Sequence, residues 1–273
     1  AQTKEISLNE IWNGTFRTEG MDVLHSMKNG QQYSVLNLDR ENGTTSIDIY
    51  DYKTLSKVKT LVNSANINEI QNFSDYTFSE DESKLVLATN VESIYRRSTL
   101  GDYYVFHINN ESLTLISDEK IQEPTFSPDG SKVAFGLNNN LYVKDLLSGA
   151  TMQVTFDGEK NKIINAIADW VYEEEFRVVR AFEWNSDSNK IAFLRFDETN
   201  VPEFSMDIYG EGLYQTQQVF KYPKAGQANA IVSLHIFNLQ EKLTKEVKLD
   251  KAYKDFYIPR IKWTNNPNIL SAQ

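Results

Sequence analysis

The sequence predicts an all-β protein, a β-propeller of four-stranded antiparallel blades, and three observations predict it. Aromatic residues make up 12% of 273 positions, with 14 Tyr and 15 Phe, and flat rings suit a pleated, half-buried strand surface. One hairpin pattern recurs along the chain. Between its copies lie further alternating stretches closed by turn residues, giving two hairpins and so four strands per repeat.

In chain order the copies are YTFSEDESKLVLAT from Tyr76, PTFSPDGSKVAFGL from Pro124, FEWNSDSNKIAFLR from Phe182 and a fainter IKWTNNPNILSAQ from Ile261. Each has an aromatic (Phe78, Phe126, Trp184, Trp263), then a polar turn, then an alternating apolar strand, which is the pattern of a β-hairpin. DYYVFHINNES (Asp102 to Ser112) and NLYVKDLLSG (Asn140 to Gly149) supply strands of the second hairpins. Phe78 to Phe126 is 48 positions and Phe126 to Trp184 is 58, at or somewhat above the ~40 to 50 of common propeller blades. A β-sandwich with chance hairpin similarity is the alternative, and the repeated order of aromatic, turn and strand argues against it.

From Trp184 to Trp263 is 79 positions, so this blade holds an insertion that includes MDIYGEGLYQTQQVFKYPKAGQANA. Gly210, Gly212, Pro223 and Gly226 punctuate two short strand-like pieces there, the pattern of a hairpin arm projecting from the blade. The last copy ends at Gln273 where the second strand of its hairpin should be under way. Residues 1–273 therefore read as some four to five blades of a propeller domain that is incomplete at its C-terminus.

The charge balance excludes several functions. Net charge is −10, which repels a phosphate backbone, so no nucleic acid partner is expected. No apolar run approaches the ~20 residues that span a bilayer, so no membrane segment is expected. Zero cysteines exclude a disulfide framework, thiolate catalysis and cysteine-ligated zinc. His25, His107 and His235 fall in strand-like segments and read as structural.

The stretch DWVYEEEF, Asp169 to Phe176, places three glutamates behind a Trp and a Tyr. Ile167, Trp170, Val171 and Glu174 fall at i, i+3, i+4 and i+7, one face of a short helix. After Phe176 the period becomes two, so the helix is expected to feed a blade strand and to set the carboxylates at a helix-to-strand corner. Adjacent helical side chains point ~100° apart, so Glu174 and Glu175 can bracket a cation between them. A solvated acidic helix end is the plainer alternative. Metal binding is a third, weakened because no His stands at ligand spacing nearby, and no cofactor is expected.

At these residues the chain resembles the propeller domain of the dipeptidyl peptidase IV family, within the prolyl oligopeptidase superfamily. DWVYEEEF, FDETNVPEF (Phe196 to Phe204), KYPKAG (Lys221 to Gly226) and YRRS (Tyr95 to Ser98) match in order and approximate spacing. The resemblance implies an eight-bladed propeller in which Glu174 and Glu175 hold the free α-ammonium of a peptide substrate, with Glu173 more peripheral. Arg96 is the match to an arginine that contacts the substrate's carbonyl, although Arg97 stays open for that role, and either could be a surface charge. The arm, residues 207 to 230, would form a homodimer.

The same resemblance implies a serine dipeptidyl peptidase releasing X-Pro or X-Ala dipeptides from peptides with a free N-terminus. Its Ser-Asp-His triad would sit in a C-terminal α/β-hydrolase domain, since no G-x-S-x-G elbow occurs in these 273 residues. Residues 1–273 alone are thus expected to be inactive, and the catalytic residues to lie outside them. A periplasmic or secreted location is expected, with Ala1 and Gln2 read as a mature N-terminus. The competing reading is a non-catalytic propeller that binds peptides or partner proteins.

Overall fold

The computed structural model describes residues 5–18, 20, 23–250 and 255–273. Ala1 and Gln2 lie outside the described residues. The chain divides into two compact units, Ala1–Asn63 and Ser64–Gln273.

The first unit holds a short helix, α1 (Leu8–Trp12), capped by Ser7 and Glu10 in a reciprocal capping box. Its sheet has the order β1-β2-β3-β4, with β1 Leu24–Ser26, β2 Gln32–Asp39, β3 Thr44–Asp51 and β4 Lys57–Asn63. Asp48 is buried on β3 and is satisfied by Thr60, Asn37 and Lys57. Those hydrogen bonds outweigh burial and hold its carboxyl below the usual range.

The second unit repeats the same antiparallel meander. One sheet is β5 Asp75–Phe78, β6 Lys84–Ser93, β7 Thr99–His107 and β8 Ser112–Leu115; the next is β9 Gln122–Phe126, β10 Lys132–Leu137, β11 Asn140–Asp145 and β12 Thr151–Gln153. Then come β13 Ile163–Asn165, the helix α2 Trp170–Phe176, β14 Phe182–Trp184 and β15 Lys190–Asp197. An arm of β16 Glu203–Ile208 and β17 Thr216–Lys221 follows, then β18 Ile231–Asn238 and β19 Leu243–Glu246, and finally the hairpin β20 Ile261–Trp263 with β21 Leu270–Ala272. β13 and β14 share one edge of β15, which makes this a five-stranded sheet. Four sheets and a further hairpin agree with a partial β-propeller of four to five blades. His25, His107 and His235 lie on β1, β7 and β18.

The repeated turns share one backbone device. Glu82, Gly130 and Ser188 occupy equivalent turn positions and all have left-handed φ, at 56°, 65° and 58°, a region that Gly enters freely and other residues at a cost. Side-chain oxygens offset that cost: Asp129 accepts from Ser127 and Ser131, and Asp81 accepts from Ser79 and Ser83. These serines hold the Asp81 carboxyl down at about 2.

The repeated aromatic joins one blade to the one before it. Trp184 donates its indole N–H to Thr125 O at 3.3 Å, and Trp263 donates to Glu183 O at 3.0 Å. β15 buries both faces. Ile191 and Phe193 pack with Leu141, Val143 and Trp184, while Ala192, Leu194 and Phe196 pack with Tyr172, Leu234 and Ile258. A strand buried on both faces reads as a continuous apolar run, as IAFLRF does.

The inserted segment is a hairpin arm, with Phe204 opposite Phe220 and Ile208 opposite Thr216. It begins at Glu203, a few residues before the expected start. The helix does not feed a strand directly. Arg177 ends it in the left-handed conformation at φ 59°, and β14 starts only at Phe182, because residues 177–181 turn the chain back to make a single bridge between Ile167 and Arg180.

Candidate functional site

Asp169 caps α2: its Oδ1 accepts the Tyr172 N–H at 2.9 Å, so an otherwise orphaned donor is satisfied. Tyr172 turns inward, stacks edge-on against Phe176 and Phe196 and accepts the Ile258 N–H at 2.7 Å. Its burial pushes the phenol up to about 12. A seven-residue helix is marginal by itself. These contacts hold it.

The three glutamates meet three environments. Glu173 is only 2% exposed, and its Oε1 accepts the N–H of Arg97 at 2.6 Å and of Ser98 at 3.0 Å. The expectation that Glu174 is the glutamate on the apolar stripe is corrected: the helix buries Glu173 instead, and its carboxylate is taken up by these two backbone amides. The phase was counted from Ile167, yet the helix begins at Trp170 behind its Asp169 cap. An Asp directly before an aromatic run is an N-cap signature that would have reset the count.

Glu174 is half-buried and pairs with Arg96, whose Nε lies 3.2 Å from Glu174 Oε2. Glu175 is exposed and lines a cavity of about 540 Å³ with Trp170, Phe176, Lys224 and Tyr257. The structure thus brings Arg96 to Glu174, and carries Glu175 one step round the same helix. Arg97 is exposed; its backbone, through Glu173, fixes the loop that presents Arg96.

The base of the arm packs on the same helix. Trp170 meets Tyr222 at 4.4 Å between ring centroids, Tyr95 meets Phe220 at 5.7 Å, and Phe204 and Phe220 meet edge-on at 6.0 Å. Lys221 donates from Nζ to Val201 O at 2.8 Å and to Thr199 O at 3.4 Å.

Behind the helix lies a cavity of about 520 Å³, lined by Tyr95, Ser98, Asp169, Trp170, Glu198 and Phe220 among others. Burial, reinforced by the charge of Asp169 and opposed by Lys221, pushes Glu198 up to about 7. Burial pushes Asp169 up to about 6 and, with the charges of Glu198, Glu173 and Asp169, Tyr95 up to about 12. Sequence reasoning missed Glu198 and Asp169 as functional candidates. Glu198 sits inside the FDETNVPEF stretch, but nothing local marks it as buried.

Among the described residues no group of three or more His, Cys, Asp or Glu could hold a metal ion. None of the helices there is long and apolar enough to cross a membrane. The arrangement offers an exposed carboxylate, a second carboxylate paired with a guanidinium, and aromatic walls, all braced from the inside.

A family model described as "Dipeptidyl peptidase IV (DPP IV) N-terminal region" matches residues 79–273. The chain is 27% identical over 274 residues to Prolyl endopeptidase FAP of Homo sapiens, covering 97% of this chain and 35% of that protein. It is 33% identical over 210 residues to Probable dipeptidyl-aminopeptidase B of Podospora anserina, covering 70% of this chain and 22% of that one. The crystal structure of Porphyromonas gingivalis dipeptidyl peptidase 4 superposes with a TM-score of 0.90 at 36% identity, covering all of this chain and 39% of that chain. This chain spans about a third of the length of the curated relatives it matches end to end. With some seven-tenths of its residues matched to that description, the chain belongs to the dipeptidyl peptidase IV N-terminal region family.

Proposed function

We propose that this chain is the substrate-anchoring propeller portion of a serine exopeptidase that releases X-Pro or X-Ala dipeptides from peptides with a free N-terminus. The observation that supports it most is the Arg96–Glu174 ion pair beside Glu175, on a helix braced at Asp169, Tyr172 and Glu173. In this reading the peptide's α-ammonium sits between the Glu174 and Glu175 carboxylates, donating charge-assisted hydrogen bonds of ~1.5 to 3 kcal/mol each. Arg96, with further N–H groups in its planar fork, turns to the peptide's first carbonyl.

Because the helix and the Arg96 loop are tied to each other through Glu173, the receptor needs little reorganisation when substrate arrives. Fixing the amine at a set distance from a nucleophilic serine counts two residues and places the second carbonyl for attack. The serine, its histidine base and its aspartate belong to a hydrolase domain of the longer protein in this reading. The arm, with Tyr209, Leu213 and Tyr214 exposed at its tip, is proposed as a homodimer contact, and the location as periplasmic or secreted.

The test uses the full-length protein. Glu174→Ala and Glu175→Ala are expected each to lower kcat/KM for Gly-Pro-p-nitroanilide about 10- to 100-fold, the loss of one charged hydrogen bond. Labelling of the active-site serine by a fluorophosphonate should continue at the wild-type rate. Unchanged turnover in both variants sinks the assignment, and absence of any labelling in the wild type favours the non-catalytic propeller.

A further inference from the structure

The cavity behind α2 is chemically unlike the Glu174–Glu175 surface. Ser98 is 4% exposed, and its Oγ has no hydrogen-bond partner. A buried hydroxyl left unpaired costs about 1 to 3 kcal/mol, and Ser98 lines this cavity. Glu198 is 6% exposed and also lines it. Its backbone is bonded to Lys162 and Val201, but no donor among the described residues reaches its carboxylate. Asp169 contributes a third acceptor, since its Oδ1 is taken by the Tyr172 amide and its second oxygen is not.

Three acceptors with spare capacity line one cavity whose walls include the rings of Tyr95, Trp170 and Phe220. Two desolvated carboxylates call for positive charge. Aromatic faces favour an organic cation over a hydrated metal ion, and two carboxylates and a hydroxyl fall short of the roughly six to eight oxygen ligands that a calcium ion takes. A primary ammonium brings three N–H donors, as many as the acceptors present. Lys221 meets this need only in part: its charge acts on Glu198, but two of its N–H groups go to the Thr199 and Val201 carbonyls and no hydrogen bond joins its Nζ to the carboxylate.

We propose that this cavity is a second binding site, separate from Glu174 and Glu175, for a small molecule bearing a primary ammonium, held by Glu198, Asp169 and Ser98. The site does not depend on the peptidase reading. It is walled on one side by the arm strand β17 through Gln218 to Lys221 and on another by the helix cap Asp169. An occupant would therefore join the arm to the helix that carries the glutamates.

The experiment titrates the full-length protein with n-butylammonium chloride by isothermal calorimetry and ligand-observed NMR, with tetramethylammonium, which has no N–H, as control. Saturable butylammonium binding is expected to persist in the Glu174→Gln/Glu175→Gln double variant, which removes the surface pair as a competing ammonium receptor, and to be weakened at least tenfold when Glu198→Gln is added to it. Ser98→Ala, which removes an acceptor without touching charge, should weaken it severalfold and serves if Glu198→Gln fails to fold. The proposal is overturned if butylammonium shows no saturable binding. It is equally overturned if tetramethylammonium binds as well, or if binding survives Glu198→Gln and is lost in the double variant, which would place the ammonium at the surface pair instead.

Discussion

Replacing Glu173 by Ala removes the acceptor of two backbone amides that lie some 75 residues away in sequence, at 2.6 Å from Arg97 N and 3.0 Å from Ser98 N. Hydrogen bonds to a charged partner contribute about 1.5 to 3 kcal/mol each. Arg97 is exposed and its amide can turn to water, so the low end applies there; Ser98 is buried, and its amide takes the full penalty. The loss should total about 3 to 4 kcal/mol, a large share of the ~5 to 15 that keeps a domain folded. It should be felt first as local opening of the Tyr95 to Ser98 loop. Hydrogen exchange read by mass spectrometry should show the Arg97 and Ser98 amides exchanging about two to three orders of magnitude faster, at tenfold per ~1.4 kcal/mol. Glu173→Gln keeps a neutral carbonyl acceptor worth ~0.5 to 1.5 kcal/mol per bond and should lose about half as much. In the full-length protein the freed loop lets Arg96 leave Glu174, so KM for a dipeptide substrate should rise more than kcat falls. Unchanged exchange and melting in Glu173→Ala would refute the view that this glutamate is the internal brace.

Other consequences can be measured directly. Asp169 and Glu198 bind protons more tightly in the folded chain, at about 6 and about 7 against ordinary values of 3.8 and 4.5, so the stability they add is full below about pH 4 and lost as pH rises through 6 to 7. Thermal melts from pH 4 to 8 should show that loss, and Glu198→Gln, neutral throughout, should flatten it; an equal slope in the variant contradicts the assignment. Gly158→Ala would bring a Cβ within 2.4 Å of the backbone carbonyl oxygen of Asn139, an overlap that the backbone must relieve, and should lower stability by about 1 to 3 kcal/mol in a denaturant titration. Leu213, 99% exposed, and Tyr214, 86% exposed, stand side by side at the tip of the arm. The homodimer contact proposed for the arm predicts that Leu213→Asp with Tyr214→Asp halves the mass of the full-length protein in light scattering, and no shift in mass would remove the arm from that proposal.

What could be read in advance divides by the range of the physics involved. The blade hairpins were legible because aromatic, turn and strand are neighbours in sequence, and the turn's left-handed residue and its serine or aspartate partners lie within a few positions of one another. The arm was legible because Gly210 and Gly212 lie at its tip and Pro223 follows its second strand. What the aromatic does was not legible: the bonds from Trp184 to Thr125 and from Trp263 to Glu183 exist only once one blade lies against the previous one. The five-stranded sheet was missed for the same reason, since β13 is three residues long and gains its place only by pairing with the C-terminal end of β15.

The glutamates show how one short-range error propagates. Side chains at successive helical positions point ~100° apart, so three consecutive carboxylates on a helix packed along one side cannot share an environment. One must face inward, one must lie at the boundary and one must face out, and only the starting phase decides which. The cap at Asp169 sets that phase, turning Glu173 toward the Arg97 and Ser98 amides, Glu174 toward Arg96 and Glu175 toward solvent. The inward glutamate is tolerable because two amide dipoles meet it there, and those amides belong to the same loop that presents Arg96. The run of three is therefore a brace, a pair and a solvent-facing charge rather than a crowd: the buried member fixes the loop that carries the guanidinium, the half-buried member pairs with it, and the third faces water.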